Sequence, residues 1–181
     1  MSTLDTARRP AALPKMTIRQ AGERDRAALA EMFARCTTQT RYRRFHGHVN
    51  VLPARYLTEA LSGRPDHLAL VAVVAAGPRE GSTEGLTEGS IVALASCRTD
   101  ARGVGDLGVL VEDGWQRLGI GAALLREIAG YATSTGIGVF TAQVLAEQSW
   151  ILRLLTAYGS CESVTRRGVL DVTVTASGRT R

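Results

Sequence analysis

Hydrophobic and polar positions repeat along this chain with two periods, one typical of strands and the other of helices. Residues 16–20 alternate as a first strand, and Leu29, Met32, Phe33 and Cys36 then recur on one face of a helix that begins near residue 23. The same patterns predict a second short helix or turn at 37–47, and helices at 52–61, after residue 121 and at 149–158. They predict strands at 67–76, 91–98, 106–111, 139–144, 161–165 and 169–175. The last two strands form a hairpin about a turn at 166–168.

This order of elements predicts an α+β fold, with a central mixed β-sheet flanked by helices. We expect residues 16–176 to form a single domain, residues 1–15 a disordered N-terminal tail and residues 177–181 a C-terminal tail. Residues 76–90 contain almost nothing apolar and predict an exposed, mobile loop. Ser149 is expected to cap the last helix and Gly159 to end it.

A glycine-punctuated loop joins the predicted strand at 106–111 to the helix that carries Leu124, Ile128 and Tyr131 on one face. Its sequence is Gln116-Arg117-Leu118-Gly119-Ile120-Gly121. The first N–H groups of a helix lack intrahelical partners, and glycine lets a ligand approach the backbone. We therefore expect an anion site for a ligand with a diphosphate. The loop departs from the Gly-x-Gly-x-x-Gly pattern of dinucleotide-binding folds, which makes that alternative the weaker one.

Composition narrows the class of protein. The 181 residues carry a net charge of +5, with 45% hydrophobic and 5% aromatic residues. The three cysteines lie far apart, which indicates neither a disulfide framework nor a metal site. Without an apolar run long enough to span a bilayer or a signal peptide, we expect a cytoplasmic protein with no membrane association. The modest, scattered charge excess argues against a nucleic-acid partner, although the cationic segment 41–48 keeps that alternative open.

The loop, placed between a strand and a helix, resembles the coenzyme A pyrophosphate loop of the GNAT superfamily of N-acetyltransferases. The order of the predicted elements over residues 16–175 is also similar to the order in the GNAT fold. Two further segments, Thr40-Arg41-Tyr42-Arg43-Arg44-Phe45-His46-Gly47 and Asp106-Leu107-Gly108-Val109, resemble the acetyltransferase domain of bacterial Pat-type protein-lysine acetyltransferases. In that family, the region around 37–47 lines one side of the acceptor groove.

The resemblance implies an acetyl-CoA cosubstrate, no metal, and direct acetyl transfer in a ternary complex. A main-chain N–H in the central strand would polarise the thioester carbonyl, which places Leu110 at this group, and Val109 to Val111 would pair with the pantetheine. The Val-Leu-x-x-Gln stretch that ends at Gln148 resembles a pantetheine-binding pattern that has Asn at this position. The implied cofactor-binding residues are Val109, Leu110, Val111, Gln116, Arg117, Leu118, Gly119, Ile120, Gly121, Ala122 and Gln148.

Asp106 matches the acidic position that opens the central strand in the Pat-type enzymes and is the candidate catalytic base. Those enzymes usually have Glu, so the shorter Asp106 implies a bridging water, and partial burial would raise its pKa to suit the role. Glu112, Glu147 and His46 are lesser candidates. Many relatives use a Tyr on the last helix to protonate the thiolate. This chain has Leu155 at that position, so we interpret the nearby Tyr158 as a packing residue. We likewise interpret His67, Trp115 and Cys97 as structural.

The acceptor is the least determined part of the prediction. A cationic segment at 41–48 favours an acidic surface around a protein lysine over a polyamine. A small-molecule amine as acceptor, and a non-catalytic module that senses acetyl-CoA, remain alternatives. The oligomeric state, monomer or dimer, is left open.

Overall fold

A computed structural model of the chain describes residues 15–75 and 89–176. The helices are α1 (Arg26–Arg35), α2 (Thr38–Phe45), α3 (Ala54–Leu61), α4 (Ile120–Thr135) and α5 (Trp150–Leu155). The strands are β1 (Met16–Gln20), β2 (His67–Val74), β3 (Ser90–Thr99), β4 (Val104–Val111), β5 (Val139–Leu145), β6 (Gly159–Arg166) and β7 (Val169–Ala176). The predicted C-terminal tail, the predicted N-terminal tail except residue 15, and nearly all of the predicted loop at 76–90 lie outside the described residues.

The seven described strands form one mixed sheet in the order β1-β2-β3-β4-β5-β7-β6. Strands β4 and β5 are parallel, and the other neighbouring pairs are antiparallel. The predicted α+β fold with a mixed sheet is therefore confirmed. The final hairpin turns at Arg167 and Gly168, both with positive φ, as a two-residue type I′ turn requires.

Each face of the sheet buries its own apolar cluster. Helix α4 presents Ile120, Leu124 and Ile128 to one face, where α5 adds Leu155. Helices α1 and α3 cover the opposite face, with Leu29, Phe33 and Leu57 packed against the middle strands. Helix α2 lies on this second face, over β4. Because side chains alternate along a strand, β4 sends Leu107, Val109 and Val111 to the α4 side and Asp106, Gly108 and Leu110 to the α2 side.

The last helix differs from its predicted bounds. Helix α5 ends at Leu155, and Gly159 is the first residue of β6 instead of the end of the helix. Gly159 pairs with Ala176, and a Cβ there would overlap the carbonyl group of Thr175, so strand pairing requires glycine at this position. Ser149 does precede α5, but its backbone is helical and its side chain makes no capping hydrogen bond. Its prediction as a side-chain cap was wrong.

Candidate active site

Strands β4 and β5 separate at the middle of the sheet. Their parallel pairing runs from Val104 and Val139 to Leu107 and Ala142 and then stops, although β4 continues to Val111 and β5 to Leu145. The two strands therefore diverge and leave the β5-facing edge of β4 without a strand partner beyond Leu107. An extended ligand could pair with this edge as an added strand does.

The hydrogen-bond alternation of β4 decides which main-chain groups face that gap. Glu112 donates its N–H to the carbonyl of Val92, and Asp100 donates to the carbonyl of Val104. In an antiparallel pair such bonds alternate along the strand, and the β3–β4 register has no shift. Leu110 therefore points its N–H at Leu94 on β3, whereas Val109 and Val111 direct theirs to the gap. The sequence-based expectation that Leu110 supplies this N–H disagrees with the register.

The loop before α4 holds a run of free main-chain donors. Arg117 and Gly119 have φ values of 61° and 83°, which turn the chain sharply into the helix. Ala123 donates its N–H to the carbonyl of Gly119, and the amides of residues 118–122 have no hydrogen-bond partner within the described part of the chain. Arg117 is exposed beside them. Consecutive free N–H groups at a helix N-terminus are suited to a phosphate or pyrophosphate.

Glycine at position 121 is not required by packing. A Cβ there would meet only Val109 Cγ1 and Val111 Cγ2, both at 3.8 Å, which is ordinary contact. Leu118 packs against the apolar cluster below, and Ile120 is buried in it. The loop thus lies on the α4 side of β4, directly over the edge that the gap exposes.

Gln116 has a structural task that the sequence did not indicate. Its side-chain amide donates to the Thr40 hydroxyl and to the carbonyl of Val111, both at 3.0 Å. The Asp113 carboxylate accepts bonds from the Thr37 N–H and from the Thr37 and Thr40 hydroxyls. Burial raises the pKa of Asp113, but these hydrogen bonds outweigh it and hold the pKa below its usual value. This network, Thr37, Thr40, Asp113 and Gln116, ties α2 to the loop.

Asp106 lies on the α2 side of β4, opposite Arg98 on β3 and Thr141 on β5, just before the gap opens. Its carboxylate is exposed, and it makes no hydrogen bond or ion pair among the residues that the structure describes. The expectation of partial burial is therefore wrong for the chain alone. An exposed, unpaired carboxylate at the mouth of the gap is nevertheless free to accept a proton from an incoming amine.

The lesser candidates for a base are already engaged or enclosed. Glu112 forms an ion pair of 2.9 Å with Arg35, and Glu147 pairs with Arg43 at 3.2 Å. His46 ends α2 in a left-handed conformation, and its Nε2 atom is buried without a partner in the described residues. Of these four candidates, only Asp106 has an exposed carboxylate without a partner in the described part of the chain.

The cationic segment on α2 is not a uniform charged surface. Arg41 donates to the carbonyls of Cys36, Ala34 and Asn50, which fastens the end of α1. Arg43 is paired with Glu147. Arg44 instead lies over β4, and a Cβ on Gly108 would overlap its guanidinium. Arg44 and Gly108 lie in the two segments that resemble the Pat-type enzymes, but no pattern in the sequence indicated that these two residues are in contact.

Tyr158 and Gln148 occupy the edges of the site. Tyr158 packs against the α4-side cluster and donates its hydroxyl to the carbonyl of Ala122 at 3.4 Å. With Leu155 and Leu107, it lines a small apolar cavity of about 20 Å³. Burial raises the pKa of the Tyr158 phenol, so it stays protonated at neutral pH. Gln148 is half-buried at the end of a short 3₁₀ helix, Ala146–Gln148.

Three residues interpreted as structural lie within or against the packed faces of the sheet. Cys97 is 1% exposed, and burial raises the pKa of its thiol to about 11, which suits an apolar filler and not a nucleophile. Trp115 packs against the α4-side cluster. His67 is 5% exposed with an unpartnered Nε2, and burial lowers its pKa.

The sequence of residues 39–157 matches the family model described as "Acetyltransferase (GNAT) family". The match spans about two thirds of the chain, and the divided sheet with its loop before α4 fits it. The chain belongs to the GNAT acetyltransferase family, and is an acetyl-CoA-dependent N-acetyltransferase by class.

Many solved structures share the fold. The GNAT domain of S. lividans PAT is 21% identical with a TM-score of 0.69, over 87% of this chain and 89% of that one. A putative acetyltransferase from Salmonella typhimurium, yncA, solved with acetyl-CoA, is 18% identical with a TM-score of 0.64, over 92% of this chain and 96% of that one. A cAMP-binding acyltransferase from Mycobacterium smegmatis is 23% identical with a TM-score of 0.55, over 90% of this chain and 44% of that one. No curated protein matches the chain.

The residues present fit the acetyl-CoA that the family uses. The free amides of 118–122 suit a pyrophosphate, and the unpaired edge of β4 suits an extended pantetheine arm. Within residues 15–75 and 89–176, no three metal-ligating side chains are grouped. In the same ranges, every helix is too short or too polar to cross a membrane.

Proposed function

We propose that this chain transfers an acetyl group from acetyl-CoA to a protein lysine, with Asp106 as the base. The observation that carries the proposal is the position of an exposed, unpaired carboxylate where β4 leaves β5. Acetyl-CoA supplies the activated acetyl group. The residues of the chain supply the binding, the orientation and the proton transfer.

On the α4 side, the loop amides and Arg117 would bind the pyrophosphate. Ile120 and Ala122 lie in the first turn of α4, and Leu118 lies in the loop before it. The N–H groups of Val109 and Val111 would hold the extended arm and polarise the thioester carbonyl. Gln116 contributes by fixing the loop to α2, and Gln148 lies near the diverging end of β5 as a further candidate contact.

On the α2 side, Asp106 would take a proton from the acceptor ammonium, directly or through a water, so that the neutral amine can attack. Its exposure leaves room for that water. The neutral amine attacks the thioester carbonyl, the C–S bond breaks, and coenzyme A leaves as a thiolate. The thiolate would be protonated through solvent as the new amide nitrogen loses its second proton, and Asp106 would release its own proton to solvent. Tyr158 remains a packing residue in this scheme, and its hydroxyl contacts the main-chain carbonyl of Ala122 at 3.4 Å.

A protein lysine is favoured by the likeness of segments 40–47 and 106–109 to Pat-type enzymes, supported at the level of fold by the S. lividans PAT domain. The test is incubation of the protein and acetyl-CoA with a deacetylated lysate of its own host, followed by acetyl-lysine mass spectrometry. Asp106→Asn protein serves as the control. We expect enzyme-dependent acetyl-lysine sites that are absent with the variant. Rapid acetylation of a free small amine, without any lysine sites, would replace the protein lysine with a small-molecule acceptor.

A further inference from the structure

Arg44 is held in a fixed position on the acceptor side of β4. Its guanidinium carbon lies 4.9 Å from the ring centroid of Phe45 and 5.2 Å from that of Tyr56. Only glycine at position 108 leaves room for it, because a Cβ there would overlap the guanidinium. Tyr56 is itself positioned by a 3.2 Å hydrogen bond between its hydroxyl and that of Ser96. Two aromatic rings and a glycine thus orient one planar cation.

The guanidinium of Arg44 is not paired with a carboxylate among the described residues. Its neighbours Arg41 and Arg43 are used in hydrogen bonds to carbonyls and to a carboxylate. Arg44 makes no hydrogen bond and no ion pair in the part of the chain that the structure describes, although a guanidinium has five N–H donors. Its side chain is half-buried, and its nitrogens are not among the fully buried unpartnered atoms. The donors are therefore accessible to a ligand.

Arg44 lies on the side of β4 opposite to the loop that is suited to the pyrophosphate of acetyl-CoA. The loop of free amides packs over Val109 and Val111, whose side chains point to the α4 side of β4. Arg44 lies on the opposite side of that strand, with Gly108. This is the side on which Asp106 is exposed and from which the acceptor amine would approach.

Asp106 and Gly108 are two residues apart on the same face of β4, so their Cα atoms are separated by about 7 Å. A carboxylate at one position and a guanidinium over the other form a pair of opposite charges that do not contact each other. A molecule that carries an ammonium group and a carboxylate within a few bonds would match both charges. A purely cationic polyamine would match only Asp106.

We propose that Arg44 is a specificity-determining residue that binds a carboxylate located next to the acceptor amine. The inference rests on the proposed transfer to an amine at Asp106 and specifies the acceptor for that site. The carboxylate would accept two parallel hydrogen bonds from the guanidinium, which sets the amine over Asp106. The carboxylate has two sources, the α-carboxylate of a free amino acid or an acidic side chain beside a lysine in a protein.

The experiment compares acceptors that differ only in this carboxylate. One set pairs free amino acids with their α-amides, and the other pairs lysine peptides that carry Glu or Gln next to the lysine. The value of kcat/KM is measured by thiol release from acetyl-CoA for the wild type, Arg44→Gln and Arg44→Lys. Arg43→Gln is the matched control, since it removes the adjacent cation that faces Glu147. Acetyl-CoA affinity of each variant reports that it is folded.

We expect the wild type to prefer the carboxylated member of one set by about 10- to 100-fold, the usual worth of a hydrogen-bonded charge. The set that shows the preference identifies the source. Arg44→Gln should abolish the preference through a raised KM for the carboxylated member alone, and Arg43→Gln should retain it. Arg44→Lys keeps the positive charge but cannot make two parallel hydrogen bonds, so this variant should lose part of the preference. It also provides a second test if the Arg44→Gln variant does not fold.

Equal wild-type rates within both sets would overturn the assignment of Arg44 and leave the proposed function intact. An Arg44→Gln variant that slows both members of a pair equally would also overturn it, because that pattern describes a merely structural residue. Wild-type protein that releases no thiol with any acceptor would contradict the proposed function together with this inference.

Discussion

The side-chain amide of Gln116 donates a 3.0 Å hydrogen bond to the hydroxyl of Thr40, which joins the loop of free amides to the helix that covers the acceptor side of β4. The two residues are 76 positions apart in the chain. Asp113 completes the connection, since it accepts a bond from the same Thr40 hydroxyl. Hydrogen bonds therefore fix the loop before α4 and helix α2 relative to each other.

Asp113→Ala should weaken the connection between helix α2 and the loop before α4. The variant removes an acceptor of three hydrogen bonds and leaves the Thr37 N–H and two hydroxyls to find water. We expect a loss of about 1–3 kcal/mol in the free energy of unfolding, measured by urea denaturation. Asp66→Ala, which removes an exposed ion pair with Arg64, is the control and should cost less than about 1 kcal/mol. Equal losses would show that the network adds nothing beyond a surface charge.

Acid should destabilise the protein through its hydrogen-bonded carboxylates. The Arg19 guanidinium beside Asp25 outweighs burial and lowers the pKa of this carboxyl, and Asp113 also has a lowered pKa. A lowered folded-state pKa contributes stability above the usual value of 3.8, and this contribution is lost as the pH falls through the folded-state pKa. We therefore expect the free energy of unfolding to decline below about pH 4.

Asp25→Asn, compared with the wild type in denaturant titrations across this range, tests the assignment. The variant should be less stable at pH 7 and should show a shallower decline in acid, because one titrating group is gone. A decline of unchanged steepness would mean that other carboxylates account for the acid sensitivity.

Gly121→Asp should abolish acetyl-CoA binding in a folded protein. The substitution places a carboxylate among free amides that are suited to a phosphate, so like charges would repel. The fold should survive, because a Cβ at this position meets only two methyl groups at 3.8 Å. Calorimetric titration with acetyl-CoA gives the affinity, and circular dichroism reports the fold.

Gly121→Ala is the matched variant for Gly121→Asp. It adds the Cβ without the charge, so it should fold at least as stably and bind acetyl-CoA more tightly than the Asp variant. Unchanged affinity in a folded Gly121→Asp protein would rule out the loop as the pyrophosphate site.

Asp106→Asn should lose turnover while it retains acetyl-CoA binding, since an amide fills the same volume but cannot take the proton. Removal of a general base typically costs about 10² to 10⁴ in rate. Thiol release with an accepted amine, measured against pH, checks the role, because the remaining rate should rise as more amine is deprotonated in solution. Glu112→Gln is the comparison, as its carboxylate already pairs with Arg35. Undiminished turnover in Asp106→Asn would move the base elsewhere.

The sequence by itself determined the elements, the mixed sheet and the position of the loop. These depend on local quantities: the alternation in β4 and β7, the helical spacing of Leu124 and Ile128, and glycines where the chain turns into α4. Such patterns are properties of neighbouring residues and need no partner to be recognised. Two local predictions were wrong, and both concern α5. Ser149 makes no capping hydrogen bond, and the helix ends before Gly159, which serves the pairing of β6 with β7.

Only the tertiary structure decided how the site residues are used. The direction of the Leu110 N–H follows from the pairing of Leu110 with Leu94. Asp106 is exposed because no described element packs over its side chain. The position of Arg44 depends on its contact with Gly108. The physical reason is that hydrogen bonds, charge pairing and burial are settled between residues far apart in the chain. The fold therefore gives three neighbouring cations different contacts. Arg41 binds main-chain carbonyls, Arg43 pairs with Glu147, and Arg44 has no hydrogen-bond partner among the described residues.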